Sequence, residues 1–453
     1  MKKKLMIYML VVLGIIFVVC FIWRIRNSII YKAGQEAELD CNYQEAIEEY
    51  EKIRYYRDAD NRIKILQEEE QVYTDANTLF EDGKYDEAQA LYESIIDYSD
   101  SEDKVKECEE KKKDQKDNLY NQGKKAYASG DYYGAIVIFR SLGDYEESKD
   151  YIQKCYDGWR LDRADVISAS AMYSIGLTDE GLKITGITNH NQDKLRKDDY
   201  ISVSAGAFYS VGINKDGEAY IAGDTSWGNC LKDEERVVTN AIEADSAGYY
   251  VVLLKEDSSV ISVGDTTDVD TSGWKNIVAI DAGYFWSAAV DSNGNVYVTG
   301  TNSDDVNDEI QQNSEKWSDI IDVAVGGGDK TTSSFVAGLK RDGTVVVAGC
   351  VDAGIIEAEN WKGIKKLSAG DFHLVGLTES NKVITTMNLT PATDEWKSKT
   401  CCETSTYDEK IIVDIETGNA TTLVVTDDGS VLSRGYDWEN QIPKDGDWRI
   451  KLR

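Results

Sequence analysis

Two histidines, His190 and His373, are the residues of this chain best suited to general acid–base chemistry. They lie far apart in the sequence, and no G-x-S-x-G motif supplies a nucleophile for either of them. His190 lies in the polar stretch TNHNQDK, where we expect it to be exposed to solvent. His373 lies in the apolar stretch FHLVGL, where we expect a structural role. The sequence therefore predicts no catalytic residue.

Several acidic or glycine-rich stretches have residue types that bind ions. DTTDVD (265–270) and DDVNDE (304–309) offer carboxylates, but neither has the spacing of a calcium-binding loop. We expect solvated loops there, with a weak calcium site as the alternative. GGGDKTT (326–332) lacks the glycine that precedes the lysine of a phosphate-binding loop. The eight cysteines include no CxxC pair, so the sequence predicts no metal centre and no cofactor.

Two tryptophans in polar loops are candidates for binding a partner. Trp227 lies in GDTSWGNCL and Trp438 lies in GYDWENQI. Each follows the second glycine of a repeated pattern, and only these two repeats have a tryptophan there. Aromatic residues on polar loops are typical anchors of protein interfaces. We predict Trp227, Asn229, Tyr436 and Trp438 as partner-binding residues, with structural packing as the alternative.

The elements that must position these loops are repeated hairpins. AGAFYSVGINKDGEAYIAG (205–223) has the pattern of a strand, a glycine turn and a second strand. The turn and its partner glycine recur at Gly181 and Gly186, Gly217 and Gly223, Ser258 and Gly264, Gly294 and Gly300, Gly343 and Gly349, and Gly429 and Gly435, with the turn alone at Asn381. Turns spaced about 41 residues apart predict seven four-stranded units, which form a closed β-propeller over residues 160–453.

One repeat carries a resemblance to a known family. AGDFHLVGL (369–377) is similar to the A-G-x-x-H-S-x-x-L repeat of the regulator-of-chromosome-condensation propellers, with His373 at the family's histidine. The equivalent positions elsewhere are Tyr173, Tyr209, Val251, Trp286 and Thr421. The resemblance implies a seven-bladed propeller. It also implies nucleotide exchange on a small GTPase, but most of the histidines and the G-x-N-x-x-G-Q-L-G segment are absent.

Three helical hairpins precede these repeats, beginning at Tyr31, Tyr73 and Tyr120. Each has an alanine three residues after its turn and an aromatic residue four further on. These pairs are Ala46 with Tyr50, Ala88 with Tyr92, and Ala135 with Phe139. The pattern resembles the tetratricopeptide family, which implies a helical-repeat stalk over 27–157 with a concave surface. We expect the extra residues of the long period to form a further short helix after each hairpin.

The stretch LMIYMLVVLGIIFVVCFIW (5–23) contains no charged residue. As a helix it is roughly 28 Å long, which matches the hydrocarbon core of a bilayer. No small-residue cleavage site follows it, so we predict an uncleaved single-pass anchor. Lysines in the tail 1–4 favour a cytoplasmic N-terminus, with the later domains outside the plasma membrane. The opposite orientation is the alternative.

The charge balance limits the partners. The chain has 82 acidic and 50 basic residues, a net charge of −32. Such a surface repels phosphate backbones, so we predict no nucleic-acid partner. A small-molecule ligand is not expected either, because no site for one is apparent.

The propeller must also close its ring. Trp274, Trp317 and Trp361 each precede an isoleucine by three residues, which predicts packing between blades. DWRIKLR (447–453) repeats the beginning of that pattern with no blade after it. We predict that Trp448–Leu452 is a strand paired into the first blade, near Ile167 and Tyr173.

Together these features predict a multidomain chain with a transmembrane helix, an α-helical repeat stalk and a seven-bladed β-propeller. We expect it to be a non-enzymatic scaffold whose propeller loops bind an extracytoplasmic protein. Its architecture is similar to that of the secreted β-lactamase-inhibitor propeller, which implies a cell-wall enzyme as the partner. The alternatives are a hydrolase or lyase acting on cell-surface glycan or peptide, and an intracellular exchange-factor-like regulator.

Overall fold

A computed structural model describes residues 2–195, 199–223, 235–266, 269–300, 304–327, 334–349, 354–371, 373–386, 407, 409–435, 437 and 440–452. Helices come first along the chain and a sheet-rich region follows. The chain divides into two compact units, Met1–Asn121 and Gln122–Arg453. The second unit contains the last helical hairpin together with every strand, whereas the sequence pattern suggests a boundary after that hairpin.

The N-terminal region is helical throughout. The helices are α1 Lys2–Leu39, α2 Tyr43–Glu51, α3 Ala59–Glu81, α4 Tyr85–Ser94, α5 Ser101–Ala128, α6 Tyr132–Leu142 and α7 Ser148–Asp162. Among the residues described, Lys3–Leu39 is the helix long and apolar enough to cross a membrane, with a mean hydropathy of 3.1 over its most apolar window. Its side chains from Leu5 to Trp23 are exposed, as an anchor or a signal sequence requires.

Small residues allow the helices of each hairpin to approach closely. Ala46 and Ala88 are fully buried, as the sequence predicts. A Cβ at Gly34 would lie 2.8 Å from the ring of Tyr50, so only glycine admits that ring. In the next hairpin the Tyr92 hydroxyl donates to Asn77 Oδ1 at 2.7 Å. The aromatic residues therefore fill the groove between the two helices.

The expected short helix forms after the third hairpin, where it is α7 Ser148–Asp162, but not after the first two. The residues after the first two hairpins instead begin the next long helix. Ala59–Leu66 begins α3, and Ser101–Cys108 begins α5. The stretch QEEEQV (67–72) contains strong helix formers and no glycine or proline, so nothing ends α3 before Tyr73. Helix α3 therefore packs against both α2 and α4.

Replacing Ala88 by tryptophan is expected to destabilise the first unit by about 1–3 kcal/mol, because the site has no room for an indole. The matched control is Ala90→Trp, which changes an exposed position of the same helix α4. Thermal unfolding followed by circular dichroism compares the two variants. Equal melting temperatures would contradict the helix contact at Ala88.

The second unit contains seven antiparallel sheets. The inner strands are β1 Ile167–Ala169, β4 Tyr200–Ala205, β8 Ala241–Ser246, β11 Ile277–Ala282, β14 Ile320–Gly326, β17 Ile364–Ala369 and β20 Ile412–Thr417. The middle strands are β2 Tyr173–Thr178, β5 Tyr209–Asn214, β9 Tyr250–Lys255, β12 Trp286–Asp291, β15 Phe335–Lys340, β18 Leu374–Thr378 and β21 Thr421–Thr426. The outer strands are β3 Gly181–Gly186, β6 Ala219–Gly223, β10 Val260–Gly264, β13 Val296–Gly300, β16 Val345–Gly349, β19 Val383–Thr385 and β22 Val431–Gly435.

The sheets form a closed ring, as in a seven-bladed propeller. Each inner strand contacts the inner strand of the next sheet, and β20 contacts β1. The buried apolar side chains form separate clusters between neighbouring sheets, such as that of Tyr209, Val211 and Val251 between the second and third. A blade therefore buries its two faces only against its neighbours.

The blades are less regular than predicted. Of the seven sheets described, only the second has a fourth strand, β7 Glu235–Val238. In the corresponding part of other blades the chain forms the helix α8 Asp304–Ser314 or the short 3-10 helices Gln192–Lys194 and Ile355–Asn360. The acidic stretch 304–309, expected as a loop, thus lies in α8. Its residues DDVNDE contain no helix breaker.

The segment after the last blade closes the ring. Trp448 and Ile450 are 5% and 2% exposed and share an apolar cluster with Ile167. Instead of the predicted strand, two isolated bridges form, Thr178 with Ile450 and Ser430 with Arg449. The segment thus joins the first blade to the seventh. A Cβ at Gly176 would lie 2.8 Å from the Trp448 ring, much as one at Gly338 would lie 3.1 Å from Trp317.

Candidate functional site

A cavity of about 1470 Å³ occupies the centre of the ring. Residues of all seven inner strands line it, together with residues of α6 and α7. We call it the channel. Its plug end is the end covered by Trp159 of α7 and by Arg163, which directly follows that helix, where the inner strands begin. Its mouth is the other end, lined by residues 206–207, 247–248 and 283–284.

Polar side chains in the channel accept hydrogen bonds from backbone N–H groups of the inner strands. Each inner strand pairs with a middle strand on one edge only, so the N–H groups of its other edge have no sheet partner. Side chains of the preceding blade accept from these groups. The bonds are Ala205 N to Ser168 Oγ at 3.0 Å, Ser246 N to Ser204 Oγ at 2.8 Å, Ile280 N to Glu243 Oε2 at 3.0 Å, Ala282 N to Asp245 Oδ2 at 2.7 Å and Val325 N to Asp281 Oδ2 at 2.5 Å.

Helix α7 is fastened to the ring by a buried arginine. Arg160 is 2% exposed, and its Nε donates to the carbonyl oxygen of Ala241 at 3.1 Å. Its guanidinium also pairs with Glu256, and with Asp157 at 3.0 Å. Such a fully partnered arginine fixes the position of α7 over the plug end.

Two cations neutralise acidic groups at the plug end. Arg163 Nη1 lies 2.8 Å from Asp322 Oδ1, and Lys366 Nζ lies 2.7 Å from both Asp165 Oδ1 and Asp414 Oδ1. Lys366 thus joins the sixth blade to the seventh and to the chain that enters the first. These two cations face three carboxylates, and Glu243 and Asp162 also line this part of the cavity, so the plug end is only partly neutralised.

A second set of acids, which we call the acid layer, consists of Asp245, Asp281 and Glu416. They come from the third, fourth and seventh inner strands and line the same cavity. Burial raises the pKa of all three carboxyls, and the neighbouring Asp245 raises that of Asp281 further. Among the described residues, no ion pair reaches these three side chains.

Four aromatic residues at the mouth form what we call the aromatic arc: Phe208, Tyr249, Tyr284 and Phe285. Phe208 and Tyr249 are stacked with ring centroids 5.0 Å apart, and Tyr249 meets Tyr284 edge-on at 5.5 Å. Tyr284 and Phe285 are 4.6 Å apart. All four are half-buried. Because they directly follow the ends of β4, β8 and β11, three adjacent blades present one continuous aromatic surface.

The two histidines differ in their surroundings. The predicted structural role of His373 is confirmed, since it is fully buried with its Nε2 2.9 Å from Thr422 Oγ1. Burial lowers the pKa of His373 to about 4, so it is neutral at physiological pH. The expected exposure of His190 is wrong, because it is half-buried with its ring edge-on to Phe208 at 4.7 Å.

Asp371 lines the channel near the mouth, hydrogen-bonded to the Asn419 amide. Burial raises the pKa of Asp371 to about 6. Its unfolded value is near 3.9, so the stability gained from the protonated carboxyl is complete below about pH 4 and is lost as pH rises through about 6.

Replacing Asp371 by asparagine should therefore stabilise the protein by about 2–3 kcal/mol at pH 8 and leave it unchanged at pH 4. Urea unfolding at both pH values measures the effect. Asp342→Asn is the control, because that carboxylate lies in an exposed turn. A stability difference between the Asp371 variant and the native protein that does not change with pH would contradict the assignment.

The predicted partner-binding residues Trp227, Asn229, Tyr436 and Trp438 lie outside the described residues, as do residues 328–332 of the glycine-rich stretch. Among the described residues, no group of three or more His, Cys, Asp and Glu side chains is placed to hold a metal ion. Sequence reasoning did not identify the channel acids. Their signal was an acid two or three positions before the glycine that follows the inner strand, as in AIEADSAG, IVAIDAG and IVDIETG.

No protein-family profile and no curated protein matches the sequence. Several solved structures are similar to it. The CRINKLY WD40 ectodomain of the Arabidopsis thaliana receptor kinase ACR4 is 16% identical, with 62% of this chain and 98% of that one covered at a TM-score of 0.48. The ectodomain of the Physcomitrella patens receptor kinase CR4 is 14% identical over 60% and 74%, at 0.43. Yeast RCC1 (Prp20) bound to Kap60 is 11% identical over 55% and 74%, at 0.38.

Proposed function

We propose that this protein is a non-enzymatic interaction scaffold, and that the mouth of the channel binds a segment of a protein partner. The aromatic arc carries this proposal. Phe208, Tyr249 and Tyr284 form a continuous row of rings beside the entrance of a large cavity, which Tyr284 lines. Aromatic residues are frequent energetic anchors of protein interfaces.

The bonds of the channel acids support binding rather than catalysis. Asp245 and Asp281 each accept a backbone N–H of the next blade with one carboxyl oxygen, so that oxygen helps to hold the ring together. The glycan hydrolase alternative therefore gains no support from this pair.

The N-terminal helix supports membrane attachment of the scaffold. Lys3–Leu39 contains the uncharged stretch 5–23, and we propose that this stretch anchors the chain with the propeller outside the cell. The partner would then be an extracytoplasmic protein, with a cell-wall enzyme as one possibility. The loops that contain Trp227 and Trp438 belong to the same proposal as further contacts.

Photocrosslinking in the source cells tests the proposed function. A benzoyl-phenylalanine at Tyr249 should capture one defined protein, because the arc lies at the interface. The same group at Ile356, which is 38% exposed in the 3-10 helix Ile355–Asn360 and does not line the channel, is the control. Tyr284→Ala should weaken capture from position 249, and the purified partner should bind the purified full chain. Capture that is equal from both positions, or unaffected by Tyr284→Ala, would contradict the proposal.

A further inference from the structure

We propose that the acid layer binds the cationic end of a lysine or arginine side chain, which the protein partner inserts through the mouth of the channel. This inference rests on the proposed function, since it assigns a chemistry to the partner that contacts the aromatic arc. The ligand is an alkylammonium or guanidinium group on a protein segment.

Charge is distributed unevenly along the channel. At the plug end, Arg163 pairs with Asp322 and Lys366 pairs with Asp414, both acids of inner strands. Lys366 lowers the pKa of Glu416, but its ammonium lies on Asp165 and Asp414. The acid layer is therefore left with an excess of acid in a buried position, which a further cation would relieve.

One buried hydroxyl of the channel also points to a ligand. Ser246 is 7% exposed and lines the channel directly after Asp245. Its Oγ has no hydrogen-bond partner in the described structure. A buried hydroxyl left unpaired costs free energy, and an N–H of a bound cation would satisfy it. This observation is independent of the acids and indicates a ligand with hydrogen-bond donors.

The route from the mouth to the acid layer also favours a basic side chain. A cation that enters from the mouth passes the aromatic arc, of which Tyr284 also lines the cavity. Aromatic faces attract Lys and Arg side chains, whose apolar stems also bury favourably against rings. The arc and the acid layer thus match the two parts of one long basic side chain.

An organic cation fits the layer better than a metal ion does. The described carboxylates include no group of three placed to hold a metal. A guanidinium has five donors spread over a plane, and an ammonium has three on a flexible stem. Either can reach carboxylates from different blades that do not converge on one point.

Fluorescence anisotropy on the full chain, purified in detergent micelles, tests this inference. The probes are a fluorescein-labelled peptide in which a single arginine is flanked by glycines on both sides, and the same peptide with citrulline, which is neutral and nearly isosteric. The arginine peptide should bind about tenfold more tightly or better. Equal binding of the two peptides would overturn the inference.

Variants of Glu416 locate the site. Glu416→Gln removes one charge and no hydrogen bond of the described structure, so it should keep the fold and reduce the arginine preference several-fold. Glu416→Lys supplies an internal cation and should abolish binding. Asp281→Asn, which mimics the protonated acid, gives a second reading should the lysine variant fail to fold. Asp342→Asn is the matched control, and a preference unaltered by Glu416→Gln would overturn the inference.

The outcomes separate the two proposals. If Tyr249 still captures the partner while the arginine preference is absent, only the cation assignment fails. If capture at Tyr249 fails as well, the proposed function fails with it. Competition by millimolar calcium with no effect of the citrulline substitution would show a metal site instead, and would also overturn the inference.

Discussion

Replacing Trp448 by alanine is expected to lower the free energy of unfolding of the second unit by about 3–5 kcal/mol. The indole is 5% exposed and covers Gly176 of the first blade, so its loss leaves a cavity at the seam of the ring. Urea unfolding followed by circular dichroism measures the change. Leu452→Ala is the control, since Leu452 is 44% exposed, and it should cost about 0.5 kcal/mol or less.

A converse variant tests the same contact from the other side. Gly176→Ala places a methyl group against the Trp448 ring, where the distance would be 2.8 Å. The ring must move, so the seam should weaken in this variant also. If Trp448→Ala unfolds at the same urea concentration as the native protein, the segment does not close the ring.

The second large effect concerns Arg160. Arg160→Ala should destabilise the second unit by about 3–5 kcal/mol, because it leaves Glu256 and the carbonyl oxygen of Ala241 without their partner. Lys149→Ala, at an exposed position of the same helix α7, is the control. Thermal unfolding of both variants gives the comparison.

A double-mutant cycle separates the ion pair from the packing. Glu256→Gln should lose part of its effect once Arg160 is alanine, because the two side chains interact directly. Additive effects of Arg160→Ala and Glu256→Gln would show that the pair does not hold α7 to the ring.

The glycine turns explain why the strands were predictable. The sequence pattern places a turn at Ser258 and at Asn381, although neither is glycine, and both adopt positive φ, 63° and 61°. Gly217, Gly294 and Gly343 do so at 76°, 81° and 76°. A turn of this kind fixes the register of both strands around it, so local sequence carries most of the information about each blade.

The channel was not predictable in the same way. Asp245 is bonded to Ala282 and Ser204, and Lys366 to Asp165 and Asp414, and each of these bonds crosses between blades. A pattern within one repeat does not show which residue of another repeat lies beside it. The aromatic arc was missed for the same reason, since Phe208 and Tyr249 meet only when neighbouring blades are assembled.

The position of the closing segment has a consequence during synthesis. The surface around Gly176 is made early, whereas Trp448 leaves the ribosome only after all seven sheets have been translated. At about 5–20 residues per second, the first blade waits on the order of tens of seconds for its cover. Its apolar face and unpaired strand edge stay open to other nascent chains for that time. We therefore expect yield in cells to depend on chaperones that hold the first blade until translation ends.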